Sequence, residues 1–195
     1  MRICFLGDSF VSGAYDSECL GWVGRISAAA RSRGHDLSPY NLGIRGETSL
    51  QLAERWHSEA SLRNSALQEL KLIFQFGMND VREVDGKPQV EKSQSIAAAR
   101  TILSRASPWK PTLMVGPPAV NDEPRHERVS SISRELASLC AELDVPYFDS
   151  CSALGNSGLW RRDIAEVDGT HPSAAGYAEW ARLIENWAAW REWAP

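Results

Sequence analysis

The stretch that decides the fold is Arg2-Ile3-Cys4-Phe5-Leu6-Gly7-Asp8-Ser9, a short and mostly apolar run that ends in a small polar turn. Short runs of this kind recur along the chain, and each is bounded by Gly, Asn or Asp. Such runs predict strands, whereas apolar residues at three- and four-residue steps predict helices. The alternation of the two patterns predicts β-α-β units and therefore a parallel sheet with helices on both faces.

The periodicity predicts five strands and five helices. The strands are Arg2–Leu6, Leu37–Leu42, Lys71–Phe76, Thr112–Val115 and Val145–Phe148. The helices are Gly21–Arg33, Ser49–Leu62, Glu91–Ser107, Glu127–Leu143 and Ser173–Trp193. Residues 149–167 are predicted to be irregular. We expect an α/β fold, a three-layer α/β/α sandwich whose five-stranded parallel sheet has the flavodoxin-like order 2-1-3-4-5.

The last predicted helix carries one apolar stripe with a helical spacing. Its members are Tyr177, Trp180, Ala181, Ile184, Trp187 and Ala188. Four of the eight tryptophans of the chain lie in this segment, namely Trp180, Trp187, Trp190 and Trp193. We interpret the stripe and the tryptophans as packing surfaces rather than as an aromatic recognition site.

The composition is that of an ordinary globular protein. The 195 residues are 43% hydrophobic and 24% charged, with a net charge of −4, and we expect a single domain over residues 1–195. Neither charge sign forms a long run, so nucleic acid is not an expected partner, and no stretch is long and apolar enough to span a membrane. The amino terminus has no room for a signal peptide, which predicts a cytoplasmic protein. The four cysteines show no Cys-x-x-Cys spacing and are expected to be reduced thiols.

Polar and glycine-rich segments follow three of the predicted strands. They are Gly7-Asp8-Ser9-Phe10, Gly43-Ile44-Arg45-Gly46-Glu47 and Gly77-Met78-Asn79-Asp80, and a fourth segment, Asp168-Gly169-Thr170-His171-Pro172, precedes the last helix. Ligands of open parallel sheets bind beyond the carboxyl ends of the strands, where the strand order reverses. With the expected order, Ser9 and Asn79 face each other across that point.

These side chains suit acyl transfer. A serine hydroxyl becomes a nucleophile when a base removes its proton, and the base needs a third group that fixes its tautomer. Ser9, His171 and Asp168 can supply these three roles. The developing oxyanion needs hydrogen-bond donors, and those available are the Ser9 N–H, the Gly46 N–H and the Asn79 side-chain amide.

The four segments, in this order, resemble the SGNH superfamily of GDSL-type esterases and lipases. The resemblance implies that Ser9 is the nucleophile, that His171 is the base with Asp168 behind it, and that Ser9, Gly46 and Asn79 form the oxyanion hole. Gly43 is the alternative oxyanion glycine, and Gly46 is favoured because an acidic residue and a Thr follow it, as in the family pattern. Phe10 stands where the family name has Leu, and we expect it to pack beneath the serine turn.

The remaining polar residues of these segments receive structural interpretations. Asp8 is expected to hold the serine turn through local hydrogen bonds, and Asp80 to cap the segment after Asn79. His35, His57 and His126 are expected to be solvated and without a catalytic role.

Other functions fit the sequence less well. A receiver or flavin-binding domain shares the architecture, but a receiver would need a Lys after the fifth strand, and residues 145–152 contain none. The Gly-x-x-Gly after the second strand lacks the Lys-Ser/Thr of a phosphate-binding loop. A non-catalytic binding module of the same fold remains the alternative to an enzyme, although every side chain that the chemistry needs is present.

The expected substrate is a small-molecule carboxylic ester, and no metal or cofactor is needed. The absence of an obvious lid insertion favours short acyl or acetyl groups, with a thioesterase or lysophospholipase as the alternative. Candidate pocket walls are the loops 11–20, 81–90, 116–125 and 154–167. Their apolar candidates are Phe10, Val81, Pro117, Pro118, Leu159 and Trp160, and their charged candidates are Arg82, Glu83, Arg161 and Arg162. Of these, Arg161 and Arg162 could meet an anionic leaving group.

Overall fold

A computed structural model describes residues 1–66 and 68–195. Five parallel strands form the main sheet: Arg2–Gly7 (β1), Ser38–Gly43 (β2), Leu70–Gln75 (β3), Thr112–Val115 (β6) and Tyr147–Phe148 (β7). Their order is β2-β1-β3-β6-β7, which confirms the predicted flavodoxin-like order. A separate antiparallel hairpin consists of Glu83–Val84 (β4) and Lys87–Pro88 (β5).

Nine helices lie in the described part of the chain. They are Ser9–Ser12 (α1), Gly21–Ser32 (α2), Ser49–Ser61 (α3), Lys92–Ala106 (α4), Glu123–Glu142 (α5), Ser150–Gly155 (α6), Gly158–Val167 (α7), Ala174–Glu185 (α8) and Ala188–Trp193 (α9). Helices α2 and α8 pack against each other, and α4 packs between α3 and α5. These two groups cover the sheet in the three-layer arrangement that the alternating pattern predicts.

The prediction that residues 149–167 are irregular is wrong, because this segment forms α6 and α7. Both helices begin with a side-chain cap: Asp149 accepts a hydrogen bond from the Ser152 N–H at 3.0 Å, and Ser157 from the Trp160 N–H at 3.3 Å. Helices this short show too few turns for an apolar stripe to be visible in sequence. Their caps, an Asp and a Ser, were the available signal.

The predicted single helix Ser173–Trp193 is also wrong, because the chain breaks it into α8 and α9. Asn186 and Trp187 donate their N–H groups to Leu183 and Ile184, which closes α8 in tight turns, and Trp187 is then extended. The buried stripe therefore ends at Ile184, and Ala188 is exposed. Helix α5 starts at Glu123, four residues before its predicted start, because Asp122 caps it and Pro124 suits its first turn.

The core beneath the sheet's carboxyl edge is a cluster of tryptophans. The Trp180 ring lies 5.7 Å from the Trp22 ring and 5.6 Å from the Trp160 ring, and all three side chains are fully buried. Each of two indole N–H groups has a partner, since Trp160 donates to the Ala119 carbonyl at 2.9 Å and Trp180 to the Ser150 hydroxyl at 3.1 Å. These contacts agree with the packing role expected for Trp180. No helix in the described residues is long and apolar enough to cross a membrane.

Two glycines allow the elements at this edge to approach closely. A Cβ on Gly7 would lie 1.8 Å from the Gln75 carbonyl oxygen, and one on Gly43 would lie 2.3 Å from the Ser12 nitrogen. Both neighbours are backbone atoms, which cannot move aside as a flexible side chain can. The carboxyl ends of β1 and β2 therefore depend on glycine at these positions.

We expect Gly43→Ala to lower the free energy of unfolding by about 2 kcal/mol or more, because the methyl group overlaps the α1 backbone. Gly158→Ala is the matched control, since its Cβ would meet only the Arg162 guanidinium at 3.5 Å. The control should stay within about 0.5 kcal/mol of the wild type. Urea denaturation measures both values, and equal stability of the two variants would contradict the close-approach argument.

Candidate active site

Ser9 is the first residue of a one-turn helix that follows β1 directly. Asp8 caps this helix by accepting a hydrogen bond from the Phe10 N–H at 3.0 Å, and the Ser12 N–H donates to the Asp8 carbonyl at 3.1 Å. Gly13, at φ +74°, ends the turn. As the first helical residue, Ser9 has an N–H without an intrahelical acceptor, so that this N–H is available to a ligand.

The His171 loop is held mainly by two aspartates. One Asp168 oxygen accepts the N–H groups of Thr170 at 2.9 Å and His171 at 2.6 Å. Asp163, on α7, accepts from the Ser173 hydroxyl at 2.6 Å and from the Ser173 N–H at 2.7 Å, which fixes the chain just after His171. Asp163 was not predicted from the sequence. The available signal was Ser173, the N-cap of α8, which lies ten residues after it.

The structure brings Ser9, His171 and Asp168 into one hydrogen-bonded chain. Ser9 Oγ lies 2.9 Å from His171 Nε2, and His171 Nδ1 lies 2.8 Å from Asp168 Oδ2. Burial raises the pKa of Asp168, but the hydrogen bonds from His171 and Thr170 outweigh it and hold the pKa below its usual value. Asp168 is therefore ionised at neutral pH and can stabilise a positive charge on His171.

Two aromatic side chains contact the His171 ring. Phe10 stacks on it at a centroid distance of 4.9 Å and an interplanar angle of 21°, and Tyr15 lies 5.0 Å away at 36°. Tyr15 is half exposed, and the Arg45 guanidinium lies 5.0 Å from its ring centroid. Phe10 is fully buried, as expected, and it also packs against the histidine.

The three candidate oxyanion donors lie on neighbouring loops at the same edge of the sheet. Asn79 Nδ2 donates one hydrogen bond to the Glu47 carbonyl at 3.0 Å, which joins the Asn79 turn to the residue after Gly46. Gly46 has φ +80°, a conformation that favours glycine, and its Cβ would meet nothing within 4 Å. Gly43 donates its N–H to the Asn41 side chain at 3.1 Å. Of the two candidate glycines, Gly46 therefore fits the oxyanion role better.

An ion pair that the sequence analysis did not find clamps the turn carrying Gly46. The Arg55 guanidinium, on α3, binds both carboxylate oxygens of Glu47, at 2.5 and 2.6 Å, and Glu47 is buried. The same guanidinium donates to the Leu42 carbonyl at 2.7 Å and to the Gly7 carbonyl at 3.4 Å. Arg55 thereby joins the ends of β1 and β2 to the turn that carries Gly46, the candidate oxyanion donor, and we regard it as a positioning residue.

A family model for the GDSL-like Lipase/Acylhydrolase family matches residues 5–179. The chain belongs to this family. As a GDSL-family member it is a carboxylic ester hydrolase, in agreement with the enzyme class and the family that its four segments predict.

Solved structures share the fold. The acetylxylan esterase Axe2 from Geobacillus stearothermophilus is 20% identical, with a TM-score of 0.77, over 94% of this chain and 91% of that chain. A lipase/acylhydrolase from Enterococcus faecalis is 20% identical, with a TM-score of 0.79, over 97% of this chain and 96% of that one. A comparison with curated protein sequences finds no match. At these identities the likeness establishes the α/β fold of GDSL hydrolases.

The two supporting aspartates of the GDSL hydrolase differ in their contacts. Asp8 holds the serine turn, as expected. Asp80 was expected to cap the segment after Asn79, but it does not. It accepts from the Ser49 N–H at 2.8 Å and from the Ser95 hydroxyl, and so ties the start of α3 and α4 to the Asn79 turn.

Asp8 is fully buried, and its environment is poor in partners. Its Oδ2 and both polar atoms of the Gln75 side chain have no hydrogen-bond partner within 3.5 Å among the described residues. Burial raises the pKa of Asp8 to about 8, and the negative charges of Asp80 and Glu47 act in the same direction. The Phe10 N–H and the Gln75 side chain lower the pKa of Asp8, but burial outweighs both. Asp8 is therefore largely protonated at neutral pH.

Several expectations about the surroundings are wrong. His35, His57 and His126 are half-buried rather than solvated: His35 binds the Pro195 carbonyl at 2.8 Å and His57 packs on the Trp109 ring at 4.9 Å.

All four cysteines are free, as expected. Within the residues that the structure describes, no group of three or more His, Cys, Asp or Glu side chains could hold a metal ion.

The expected apolar pocket walls are also mostly wrong, because apolar side chains near the sheet are used in the core. Of the six candidates only Leu159 is exposed, and the buried ones are Phe10, Val81, Pro117, Pro118 and Trp160. Arg161 donates to the Gly155 carbonyl at 2.7 Å, which ties its guanidinium to the protein.

Replacing Arg55 by Ala should lower kcat for p-nitrophenyl acetate by about 100-fold, because a displaced oxyanion turn misplaces its donors. Arg55→Lys should give an intermediate kcat, since a lysine cannot form the two-pronged contact with Glu47. Arg63→Ala is the control, because Arg63 follows α3 and pairs with Glu59 near the end of that helix, away from the turn. Circular dichroism checks folding, and a folded Arg55→Ala enzyme with wild-type kcat would refute the positioning role.

The raised pKa of Asp8 predicts a pH dependence of stability. Asp8 keeps its proton up to about pH 8 in the folded chain but releases it near pH 4 when unfolded, so stability is lost as pH rises through this window. Asp8→Asn, which retains a capping oxygen, should lose less unfolding free energy between pH 5 and 8.5 than the wild type. Urea unfolding at several pH values measures this, with Asp85→Asn, at an exposed position, as control. Parallel pH profiles for wild type and Asp8→Asn would contradict the assignment.

Proposed function

We propose that the protein is a serine esterase that hydrolyses short-chain acyl or acetyl esters through an acyl-enzyme on Ser9. The observation that carries this proposal is the unbroken hydrogen-bonded chain from Ser9 Oγ through His171 to Asp168. A hydroxyl, an imidazole and a carboxylate in this order are the parts that an activated serine requires.

In the first half of the reaction, Ser9 Oγ attacks the ester carbonyl carbon while its proton passes to His171 Nε2. The carbonyl oxygen becomes an oxyanion, which the N–H groups of Ser9 and Gly46 and the free N–H of the Asn79 amide stabilise. The bond between the carbonyl carbon and the alcohol oxygen then breaks. His171 gives its proton to the departing alkoxide, and the acyl group stays on Ser9.

In the second half, water replaces the alcohol. His171 removes a proton from the water as its oxygen attacks the acyl carbon, and a second oxyanion occupies the same donors. The bond to Ser9 Oγ breaks, the serine recovers its proton from His171, and the carboxylic acid leaves. Asp168 keeps the Nδ1 proton in place throughout and stabilises the imidazolium that forms twice in the cycle.

The polar character of residues 82–87, which follow the Asn79 turn, supports a short acyl group. A long acyl chain needs an apolar wall, because each buried CH₂ contributes about 0.8 kcal/mol to binding. Residues 82–87 are all exposed and mostly polar, and the large apolar side chains exposed on or beside the loops at this edge occur singly along the chain: Tyr15, Leu20, Ile44, Leu50, Val84 and Leu159. The name of the structural neighbour Axe2, an acetylxylan esterase, agrees with an acetyl substrate.

The assignment of Ser9 is tested with a fluorophosphonate probe and p-nitrophenyl acetate. The probe should label Ser9 in the wild type, and Ser9→Ala should lose both labelling and turnover, whereas Ser17→Ala, at an exposed serine, should retain both. Asn79→Ala should lose about 100- to 1000-fold in kcat, because one oxyanion donor is removed. Wild-type turnover in Ser9→Ala would rule out the mechanism.

The acyl preference is read in the same assay with p-nitrophenyl esters from acetate to palmitate. We expect kcat/KM to be highest for acyl groups of about two to four carbons, because the exposed and mostly polar residues 82–87 give additional methylenes little to pack against. A steady rise beyond about eight carbons would instead indicate a lipase-like or lysophospholipase-like enzyme.

A further inference from the structure

Arg125 lies against the loop that carries His171. It is at the start of α5, and its Nη1 donates to the Thr170 hydroxyl at 3.0 Å, one residue before His171. Its side chain is half-buried, and its Nε is buried without a hydrogen-bond partner among the described residues. A half-buried guanidinium therefore lies beside the loop that carries His171.

A second arginine, Arg82, lies on the turn that carries the Asn79 amide. The Arg82 N–H donates to the Asn79 carbonyl at 3.2 Å, so Arg82 belongs to the turn that carries the Asn79 amide. Its side chain is exposed. Burial lowers the pKa of Arg125, the positive charges of Arg82 and Arg128 lower it further, and the negative charges of Asp122 and Asp168 act in the opposite direction. Arg125 thus contacts the loop that carries His171, and Arg82 belongs to the turn that carries Asn79.

Neither arginine has a carboxylate partner of its own. Within the described ranges 1–66 and 68–195, no carboxylate lies within 4.0 Å of either guanidinium. The nearby acids are engaged elsewhere: Asp168 binds His171, and Asp122 caps α5 by accepting the Arg125 N–H at 2.9 Å. Arg128, the third cation of this region, pairs with Glu83 at 3.0 Å.

The half-buried Arg125 guanidinium loses part of its hydration, and the positive charge of the exposed Arg82 repels it. An anion between them removes both costs, and the planar fork of arginine matches a carboxylate or a phosphate in particular. We propose that Arg82 and Arg125 form a subsite for an anionic group, a carboxylate or a phosphate, carried by the ester substrate. This inference rests on the proposed function and names the substrate class of the same site.

The subsite makes the enzyme selective between esters that differ only in charge. Arg82 is exposed and Arg125 is half-buried. Arg82 therefore attracts the anion from solvent, and Arg125 binds it next to the reacting carbonyl. The competing explanation is that Arg125 only positions Thr170 and the His171 loop. That role would affect charged and neutral esters equally, which gives the two explanations different kinetic signatures.

The test compares matched pairs of esters. For an anion on the acyl side, the pair is p-nitrophenyl hemiglutarate and its neutral methyl ester. For an anion on the alcohol side, 4-acetoxybenzoate and 4-acetoxyphenyl phosphate are compared with neutral methyl 4-acetoxybenzoate. We expect wild-type kcat/KM to favour the charged member of at least one comparison by about tenfold or more, because hydrogen bonds to a charged group contribute about 1.5–3 kcal/mol.

The variants are Arg82→Gln, Arg125→Gln and the double substitution, with Arg31→Gln as the control at an exposed site on α2. The readout is the ratio of kcat/KM for charged and neutral esters, which should fall about tenfold in the double variant and stay at the wild-type value in the control. A wild-type ratio near one, or equal losses on both esters in Arg125→Gln, would overturn the proposal.

A binding measurement separates this inference from the esterase proposal. Calorimetric titration with phenyl phosphate, which contains no carboxylic ester, should show binding to the wild type that the double variant loses and that high salt weakens. Loss of that binding in the variant supports the subsite even if Ser9 proves not to be the nucleophile. Absence of binding to the wild type, with Ser9 labelled and neutral esters hydrolysed, would refute the subsite and leave the esterase proposal intact.

Discussion

The structure depends on the parallel register of β1 between β2 and β3. In this register Gly7 lies opposite Gly43 on one side and Gln75 on the other, so the three strands end at one level. The serine turn, the oxyanion turn and the Asn79 turn leave the sheet together as a result. Because the gaps at Gly7 and Gly43 admit no Cβ, the backbones meet at the distance that the site requires.

The strength of this arrangement lies in how the loops are joined to one another. Asn41 donates to the Val11 carbonyl at 2.7 Å, which ties β2 to the serine turn, and Arg55 ties both strand ends to Glu47. Asp80 then connects the start of α3 with α4. Few of these bonds touch Ser9, Gly46 or Asn79, yet together they fix the turns that carry these residues relative to each other. Such a polar network excludes the water that a poorly satisfied network would admit. It therefore favours one geometry of these turns.

The sequence predicted the fold and the Ser9, His171 and Asp168 cluster because both follow from local patterns. Each strand is a distinct apolar run, and each candidate side chain comes directly after a strand or before a helix. The Glu47 and Arg55 pair was not predicted, because no local pattern shows that the second turn of α3 lies against the ends of β1 and β2. Arg125 was missed for the same reason: its contact with Thr170 joins segments 45 residues apart, which no short pattern encodes.

The packing of Phe10 and Tyr15 on His171 has a consequence for the orientation of the imidazole. A half-turn of the ring would have to displace the fully buried Phe10 ring that stacks on it at 4.9 Å, so Nε2 stays directed at Ser9. The stacking thus holds the orientation of the imidazole, and the carboxylate of Asp168, which lies 2.8 Å from Nδ1, holds its tautomer. In this enzyme the aromatic pair and the aspartate divide between them a task that a hydrogen bond alone performs less rigidly.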